Sequence, residues 1–140
     1  MLEMFYQINW LAVLASGVIT MFVGGLWYGP IAGKAWLEEV GLTEEEIKAD
    51  GAPTAAMIKS FIASLVLAVG MSLIIMWSGV AAGDWLGGAV VGATVAILVI
   101  GGGVFPNYAF ESKSLRHFII HLGNITVSMA LIGALLAAWR

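Results

Sequence analysis

Four long stretches of this chain carry no Asp, Glu, Lys or Arg, and that single feature restricts what the chain can fold into. Residues 4–33, 60–83 and 85–110 contain no Asp, Glu, Lys, Arg or His, and the only one of these in residues 118–139 is His121. A helix of about 20 apolar residues spans the hydrocarbon core of a bilayer. We therefore predict four transmembrane helices, called helix one to helix four, at about 8–28, 60–78, 85–105 and 115–138.

Two other architectures do not fit these stretches. Each helix of a soluble bundle needs a charged outer face, whereas charged residues make up only 11% of this chain and apolar residues 61%. The strands of a membrane β-barrel are about ten residues long and alternate apolar with polar side chains. The predicted fold class is therefore all-α. It is an integral membrane four-helix bundle, one domain over residues 1–140, with a short acidic helical segment in the cytoplasm at about 30–57.

Composition excludes several further classes of protein. The chain has no cysteine, so we expect no disulfide, thiolate metal site or thiol redox role. The net charge is −3, which gives no indication of a nucleic-acid partner. The start of the chain, "MLEMFYQINW", contains no Lys or Arg. Helix one therefore lacks the basic start of a signal peptide, and we expect it to be retained.

Basic residues near the helix ends predict the orientation in the membrane, because cytoplasmic loops carry an excess of Lys and Arg. Five of them fall in the first and third connections between helices, against one at the C-terminus: Lys34, Lys48, Lys59, Lys113 and Arg116 against Arg140. We expect a multi-pass protein of a bacterial inner membrane, with both termini outside and the lipid bilayer as its immediate partner.

The stretch "GGLWYGPIAGKAW", residues 24–36, marks the predicted cytoplasmic end of helix one. Trp and Tyr favour the membrane interfaces, so Trp27 and Tyr28 are predicted to anchor this end. Gly29 and Pro30 then end the helix, because proline disfavours the helical conformation in the residue before it. The same preference predicts further interfacial anchors at the other helix ends: Trp36 and Tyr108 inside, and Trp77, Trp85 and Trp139 outside.

Helix three closes in a similar way, with glycines, an aromatic residue and a proline. Gly103, Phe105 and Pro106 are expected to weaken its end. The likeness to the end of helix one is consistent with a two-plus-two repeat of parallel halves.

The connection between helices one and two is acidic and partly helical. Thr43 and Glu46 form a capping box that predicts the start of a short helix, and Gly51 with Pro53 marks its end. Two interpretations of the acidic side chains stay open, a solvated face and a docking surface for a basic partner. The side chains concerned are Glu38, Glu39, Glu44, Glu45, Glu46 and Asp50.

Helix four is where polar side chains cluster inside a predicted span. His117, His121, Asn124 and Ser128 follow Ser114 at helical spacing and lie on one face. We call these four residues the polar stripe, and they are the candidate binding site, because ionisable residues inside a membrane are default functional candidates. Three interpretations are open: hydrogen bonding between helices, a proton or ion path, and a metal or haem site on the i, i+4 histidines.

The metal interpretation lacks a ligand set. The zincin motif places a glutamate between its two histidines, whereas Phe118, Ile119 and Ile120 stand there in this chain. No third ligand can be named, so we predict no metal, no cofactor and no catalytic residue. The opposite face of helix four, with Ile119, Leu122 and Thr126, is expected to be more peripheral, and the Thr126 hydroxyl can bond to its own helix backbone.

Glycines indicate where helices approach each other, because small residues four apart permit close packing. Three such pairs are predicted to form packing surfaces: Gly25 with Gly29, Gly83 with Gly87, and Gly88 with Gly92. Asp84 stands where it can cap the start of helix three.

The motifs "LWYGP", "KAW", "GLTEE" and "FESKSLRHFII" resemble a family of small bacterial and fungal membrane proteins, the domain-of-unknown-function family seventeen sixty-one. The resemblance covers nearly the whole chain. The family usually has Phe-Gly-Lys-x-Trp where this chain has Ala32 before Gly33. The resemblance implies a four-helix membrane protein and brings no activity, ligand or catalytic residue.

Two functional hypotheses follow. The first is a non-enzymatic structural or interaction component, either a homo-oligomer or a subunit of a larger membrane complex. The alternative is a small transporter or channel formed by oligomerisation around the polar stripe, because four short helices in one chain enclose little volume. The polar stripe discriminates between them: a water-filled cavity beside it favours transport, and close packing against another helix favours a structural role.

Overall fold

A computed structural model describes residues 2–49 and 52–140, and within those ranges every regular element is helical. Four helices there are long and apolar enough to cross a membrane, namely Trp10–Ile31, Thr54–Trp77, Trp85–Phe110 and Leu115–Ala138. They confirm the predicted all-α fold class with four spanning helices. A short helix, Leu2–Tyr6, precedes the first span.

Helix one begins at an Asn9 cap, whose side-chain oxygen accepts hydrogen bonds from the N–H groups of Leu11 and Ala12. The α-helix Trp10–Leu26 leads into a π-helical turn, Trp27–Ile31, and the helical conformation breaks inside this turn at Gly29, next to the predicted end at residue 28. Gly29 inside that turn is non-helical, with φ −99° and ψ −107°, as expected for a residue before proline. Pro30 has no N–H to donate, and the Ala32 N–H closes the widened turn on the Trp27 carbonyl at 2.7 Å.

Helix two, Ala52–Trp77, begins before the predicted residue 60. Pro53 lies in its first turn, where a missing N–H costs nothing because no helical acceptor exists for it. The surface segment between helices one and two is therefore shorter than the predicted 30–57. Gly51, expected to mark the end of a short helix, lies outside the described residues.

The surface segment contains two short helices, Gly33–Val40 and Glu44–Ala49. The predicted capping box is present in the second: the Glu46 N–H donates to the Thr43 hydroxyl at 3.2 Å, and the Thr43 N–H donates to the Glu46 carboxylate at 2.7 Å. The Thr43 hydroxyl also donates to the same carboxylate at 2.8 Å. The two hydrogen bonds from Thr43 to the charged carboxylate lower the pKa of Glu46 below its ordinary value.

Helix three starts at Asp84, whose carboxylate accepts from the Gly87 N–H at 2.9 Å. Its α-helix Trp85–Thr94 leads into a π-helical stretch, Val95–Gly101, and then into Gly102–Phe110. The predicted end at residue 105 is wrong, because the helix passes through Pro106. Packing accounts for the extension, since Phe105 lies against Phe118 of helix four with ring centroids 5.0 Å apart.

Helix four, Leu115–Ala138, has the predicted bounds and lies at the centre of the bundle. It contacts the other three spanning helices, and helix three packs mainly against it. At Gly88 and Gly92 the two backbones meet so closely that an added Cβ would overlap the carbonyls of Gly133 and Met129. Both glycines therefore lie in a tight contact within this chain.

The other predicted packing glycines lie elsewhere. A Cβ added at Gly25 or Gly29 meets no atom of the described residues within 4 Å, so neither glycine touches another helix. Gly83 adopts a left-handed backbone, φ +87°, in the loop before helix three, and Gly87 lies against the Asp84 cap. The motif alone therefore did not distinguish helix contacts from turns, caps and open space.

One end of the bundle brings both chain termini together. The Asn9 side-chain amide donates to the Trp139 carbonyl at 2.7 Å, and the Gly83 N–H donates to the Ala137 carbonyl at 2.9 Å. Arg140 reaches the Val80 carbonyl at 2.5 Å. At the opposite end, Arg116 binds Glu38 at 3.0 Å and so ties the surface segment to the start of helix four.

We expect Gly92→Ala to destabilise the protein by about 1–3 kcal/mol, because the added methyl meets a backbone carbonyl that cannot rotate away. Gly103→Ala, also on helix three, places its methyl where no described atom lies within 4 Å and should leave stability unchanged or slightly raised. Unfolding in mixed micelles measures both. Equal losses in the two variants would contradict the assigned contact.

We expect the shared end of the termini to face outside. The chain has no cysteine, so Lys48→Cys, Ala81→Cys and Lys113→Cys each introduce one thiol. An impermeant thiol reagent added to intact cells should label position 81 alone. Labelling at 48 and 113 without 81 would reverse the orientation derived from the basic residues.

Candidate functional site

Most of the polar stripe faces a cavity. A cavity of 750 Å³ lies between helices one, two and four, at the end of the bundle that carries the surface segment. His117, His121 and Asn124 line it from helix four. Ser128 lies one to two turns deeper and is buried. The stripe is thus divided between a cavity and the packed interior.

Helix one supplies the facing wall. Gly24 and Gly25 line the cavity, and a Cβ added at either would meet no atom of the described chain within 4 Å. Tyr28 continues this wall, with its ring edge-on to the His121 ring at a centroid distance of 5.7 Å. The glycines therefore make space beside the polar stripe, where larger side chains would fill it.

The surface helix returns over this wall because of the kink in helix one. Gly33 lies so close to the Tyr28 carbonyl that an added Cβ would stand 2.5 Å from its oxygen. That approach carries Trp36 back onto Tyr28, with ring centroids 5.4 Å apart at an angle of 62°. Tyr28 and Trp36, which are predicted interfacial anchors, therefore also line the cavity.

Trp27, a predicted interfacial anchor, also packs against helix four. Its indole N–H donates to the Ile120 carbonyl at 2.9 Å. Its ring lies over Gly123, where an added Cβ would stand 2.5 Å from the ring. The hydrogen-bond donor of the indole is therefore satisfied by helix four.

Tyr108, another predicted anchor, likewise contacts helix four. It is buried against helix four, and its hydroxyl forms a short hydrogen bond with His121 Nδ1. Its ring stands perpendicular to the His117 ring at 5.5 Å between centroids. When the neutral His121 ring accepts this bond at Nδ1, its proton lies on Nε2. The remaining predicted anchors, Trp77, Trp85 and Trp139, are exposed.

Three buried polar atoms of the stripe have no hydrogen-bond partner in the part of the chain that the structure describes: His117 Nε2, Asn124 Oδ1 and Ser128 Oγ. The His117 side chain is 7% exposed. An unmade hydrogen bond at a buried group costs about 1–3 kcal/mol. By contrast, the Thr126 hydroxyl donates to the Leu122 carbonyl at 2.7 Å, as predicted.

Lys113 brings a positive charge to the rim of the cavity. Its ammonium group forms a short ion pair with Glu111, and this hydrogen bond raises the pKa of Lys113 above its ordinary value. The ammonium group therefore stays charged at neutral pH. Within the described ranges, no three His, Asp or Glu side chains come together as a metal site.

The acidic surface segment makes part of its contacts within the chain. Arg116 binds Glu38, and Ser114 donates a short hydrogen bond to Glu39. Glu44 pairs with Lys48 on the exposed helix. These contacts favour the interpretation as a solvated face, since Glu38 and Glu39 already hold partners.

A second cavity of 590 Å³ lies on the other side of the aromatic pair. Tyr28 and Trp36 line both cavities, and the second also contacts Lys34, Glu44 and Lys48. The two rings therefore separate the space beside helix four from the charged surface of the segment.

The sequence indicated the helix-four half of this site and missed the other half. Thr20 and Ser60 line the cavity but belong to no motif noted in the sequence, and Lys113 was noted only in a family motif and for its charge. One signal was present in the sequence, since Gly24 and Gly25 stand beside an aromatic pair. Without the packing, that signal is indistinguishable from a helix contact.

We expect the Tyr108–His121 hydrogen bond to show strong coupling in a double-mutant cycle. His121→Leu alone should cost about 1–3 kcal/mol, because it leaves the Tyr108 hydroxyl without this partner. Adding Tyr108→Phe should recover much of that loss, and His121→Gln should retain more stability than His121→Leu. Unfolding in mixed micelles gives the four values of the cycle. Strictly additive losses would contradict the bond.

Comparison with known proteins gives one match. The family model described as "Protein of unknown function (DUF1761)" matches residues 11–137, nearly the whole chain. No curated protein matches significantly, and neither does any solved structure.

Proposed function

This chain belongs to the DUF1761 family, proteins of unknown function, and on that premise we propose that it is a membrane-embedded binding protein. It holds a small amphipathic ligand in the cavity between helices one, two and four. The proposal rests on the site itself, because the family supplies no activity.

One observation carries the proposal: His117 lines the cavity, and its buried Nε2 atom has no hydrogen-bond partner among the described residues. Burying a polar group without a hydrogen bond is costly, and native proteins leave few such groups. A ligand with a polar head supplies the partner. The cavity volume of 750 Å³ falls within the range of about 300–1,000 Å³ typical of small-molecule sites.

The polar stripe discriminates between a structural role and transport, and a cavity beside it favours transport over packing. His117, His121 and Asn124 line a cavity, which favours a role for bound molecules over one in packing alone. Non-enzymatic action stays part of the proposal. Assembly into a homo-oligomer or a larger membrane complex is compatible with it, as is a place in a bacterial inner membrane.

Binding is favoured over conduction by a single chain. The far half of the bundle is filled by Met71, Ile75, Met129 and Ile132, all fully buried. Transport is the second candidate, and the second cavity behind Tyr28 and Trp36 favours it, because movement of these two rings would join both spaces.

Filling the cavity tests the proposal. Gly24→Leu places a large side chain in space that holds no described atom within 4 Å of the new Cβ, so the fold should tolerate it. Gly70→Leu makes the same change on an exposed face of helix two with the same free space. Native mass spectrometry of protein purified in mild detergent should detect a bound small molecule in the wild type and in Gly70→Leu, and lose it in Gly24→Leu. Equal occupancy in all three, or none in the wild type, would contradict the proposal.

A further inference from the structure

We propose that the ligand of this cavity is an anionic membrane lipid, with its oxyanion head against Lys113, His117 and Asn124 and its apolar chain along helices one and two. The inference rests on the proposed binding function and names its ligand class. The bilayer that surrounds the protein is the source of the ligand.

The charge of the cavity selects the head group. Of the fourteen described residues that line it, Lys113 alone carries a formal charge, and no carboxylate stands among them. A cationic head would be repelled by this ammonium group, whereas an oxyanion gains a charge-assisted hydrogen bond from it. The ammonium group has three N–H donors. The ion pair with Glu111 leaves N–H donors that can bond to a second acceptor.

The uncharged polar groups of the cavity supply further donors. Tyr28, Ser60 and Trp36 line the same space, and their side chains carry two hydroxyls and an indole N–H. Each of them can donate a hydrogen bond. An oxyanion accepts from several donors at once, so one head group can be shared between helix one, helix two and the surface helix.

The two unpartnered atoms on helix four fit the same head. His117 donates from Nε2 when its proton lies there. Rotation of the Asn124 amide by half a turn exchanges its oxygen for its NH₂ group, which also donates. An oxyanion beside both residues can therefore accept from the Nε2–H of His117, which has no partner in the described chain, and from the NH₂ group of the rotated Asn124 amide.

The position and the apolar lining point to a lipid as the source of the anion. Lys113 precedes Leu115, the first residue of the helix-four span, so the head lies near the depth of lipid phosphates. Met21, Val40 and Met57 form the apolar part of the lining. Met57 is exposed on helix two, so the cavity reaches the outer surface of the bundle and a chain can enter from the bilayer.

Lipid titrations followed by native mass spectrometry test the inference. The protein, delipidated in a neutral detergent, receives phosphatidylglycerol, the diacylglycerol with the same chains, or inorganic phosphate. Phosphatidylglycerol should bind about tenfold more tightly than diacylglycerol, the size of one charge-assisted hydrogen bond. Lys113→Gln should lose about that factor. Lys59→Gln, which removes an exposed charge at the same end of the bundle without lining the cavity, should not.

The outcomes separate this inference from the proposed function. Equal losses in Lys113→Gln and Lys59→Gln would reduce the effect to general surface attraction and overturn the inference. Displacement of the lipid by inorganic phosphate would make a free anion the ligand instead. Equal binding of both lipids, still blocked by Gly24→Leu and not by Gly70→Leu, would overturn the anionic head and leave the proposed function intact. Binding that Gly24→Leu does not affect would overturn both.

Discussion

Hydrocarbon offers no hydrogen-bond partner, and this constraint places helix four at the centre of the bundle. Its histidines, Asn124 and Ser128 would be stranded in lipid. The other three spanning helices therefore surround it, and each contributes side chains beside it. Helix three gives a hydroxyl to His121 from Tyr108, and helix one lays the Trp27 ring over Gly123. Helix two contributes Ser60 to the wall of the cavity.

The central helix packs differently along its length. Toward the chain termini its contact with helix three is backbone against backbone at Gly88 and Gly92, so that half has no space to open. Toward the surface segment, Gly24 and Gly25 on helix one leave room where a larger side chain would fill it. The close packing at one end therefore stabilises the bundle, and the other end can contain a cavity while the fold is retained.

The buried atoms of His117 and Asn124 are local violations of an otherwise consistent design. Natural proteins meet nearly all buried hydrogen-bonding needs, and departures concentrate at functional sites. Here the departures border a cavity with a cation at its rim and two aromatic rings at its wall. Buried polar atoms without partners are what the proposed binding site requires, because a bound polar head group would supply the missing hydrogen bonds.

The sequence by itself determined the four spans, because long charge-free runs are stable as helices only in a bilayer. It also determined local features such as the Asp84 cap, whose partners are three residues apart. Tertiary structure alone decided the rest. Gly25 and Gly88 stand in the same small-residue motif, yet one borders open space and the other touches a backbone carbonyl. Trp27 binds a carbonyl 93 positions away. Helical periodicity tells which side chains share a face, but which neighbour that face meets depends on how the helices pack.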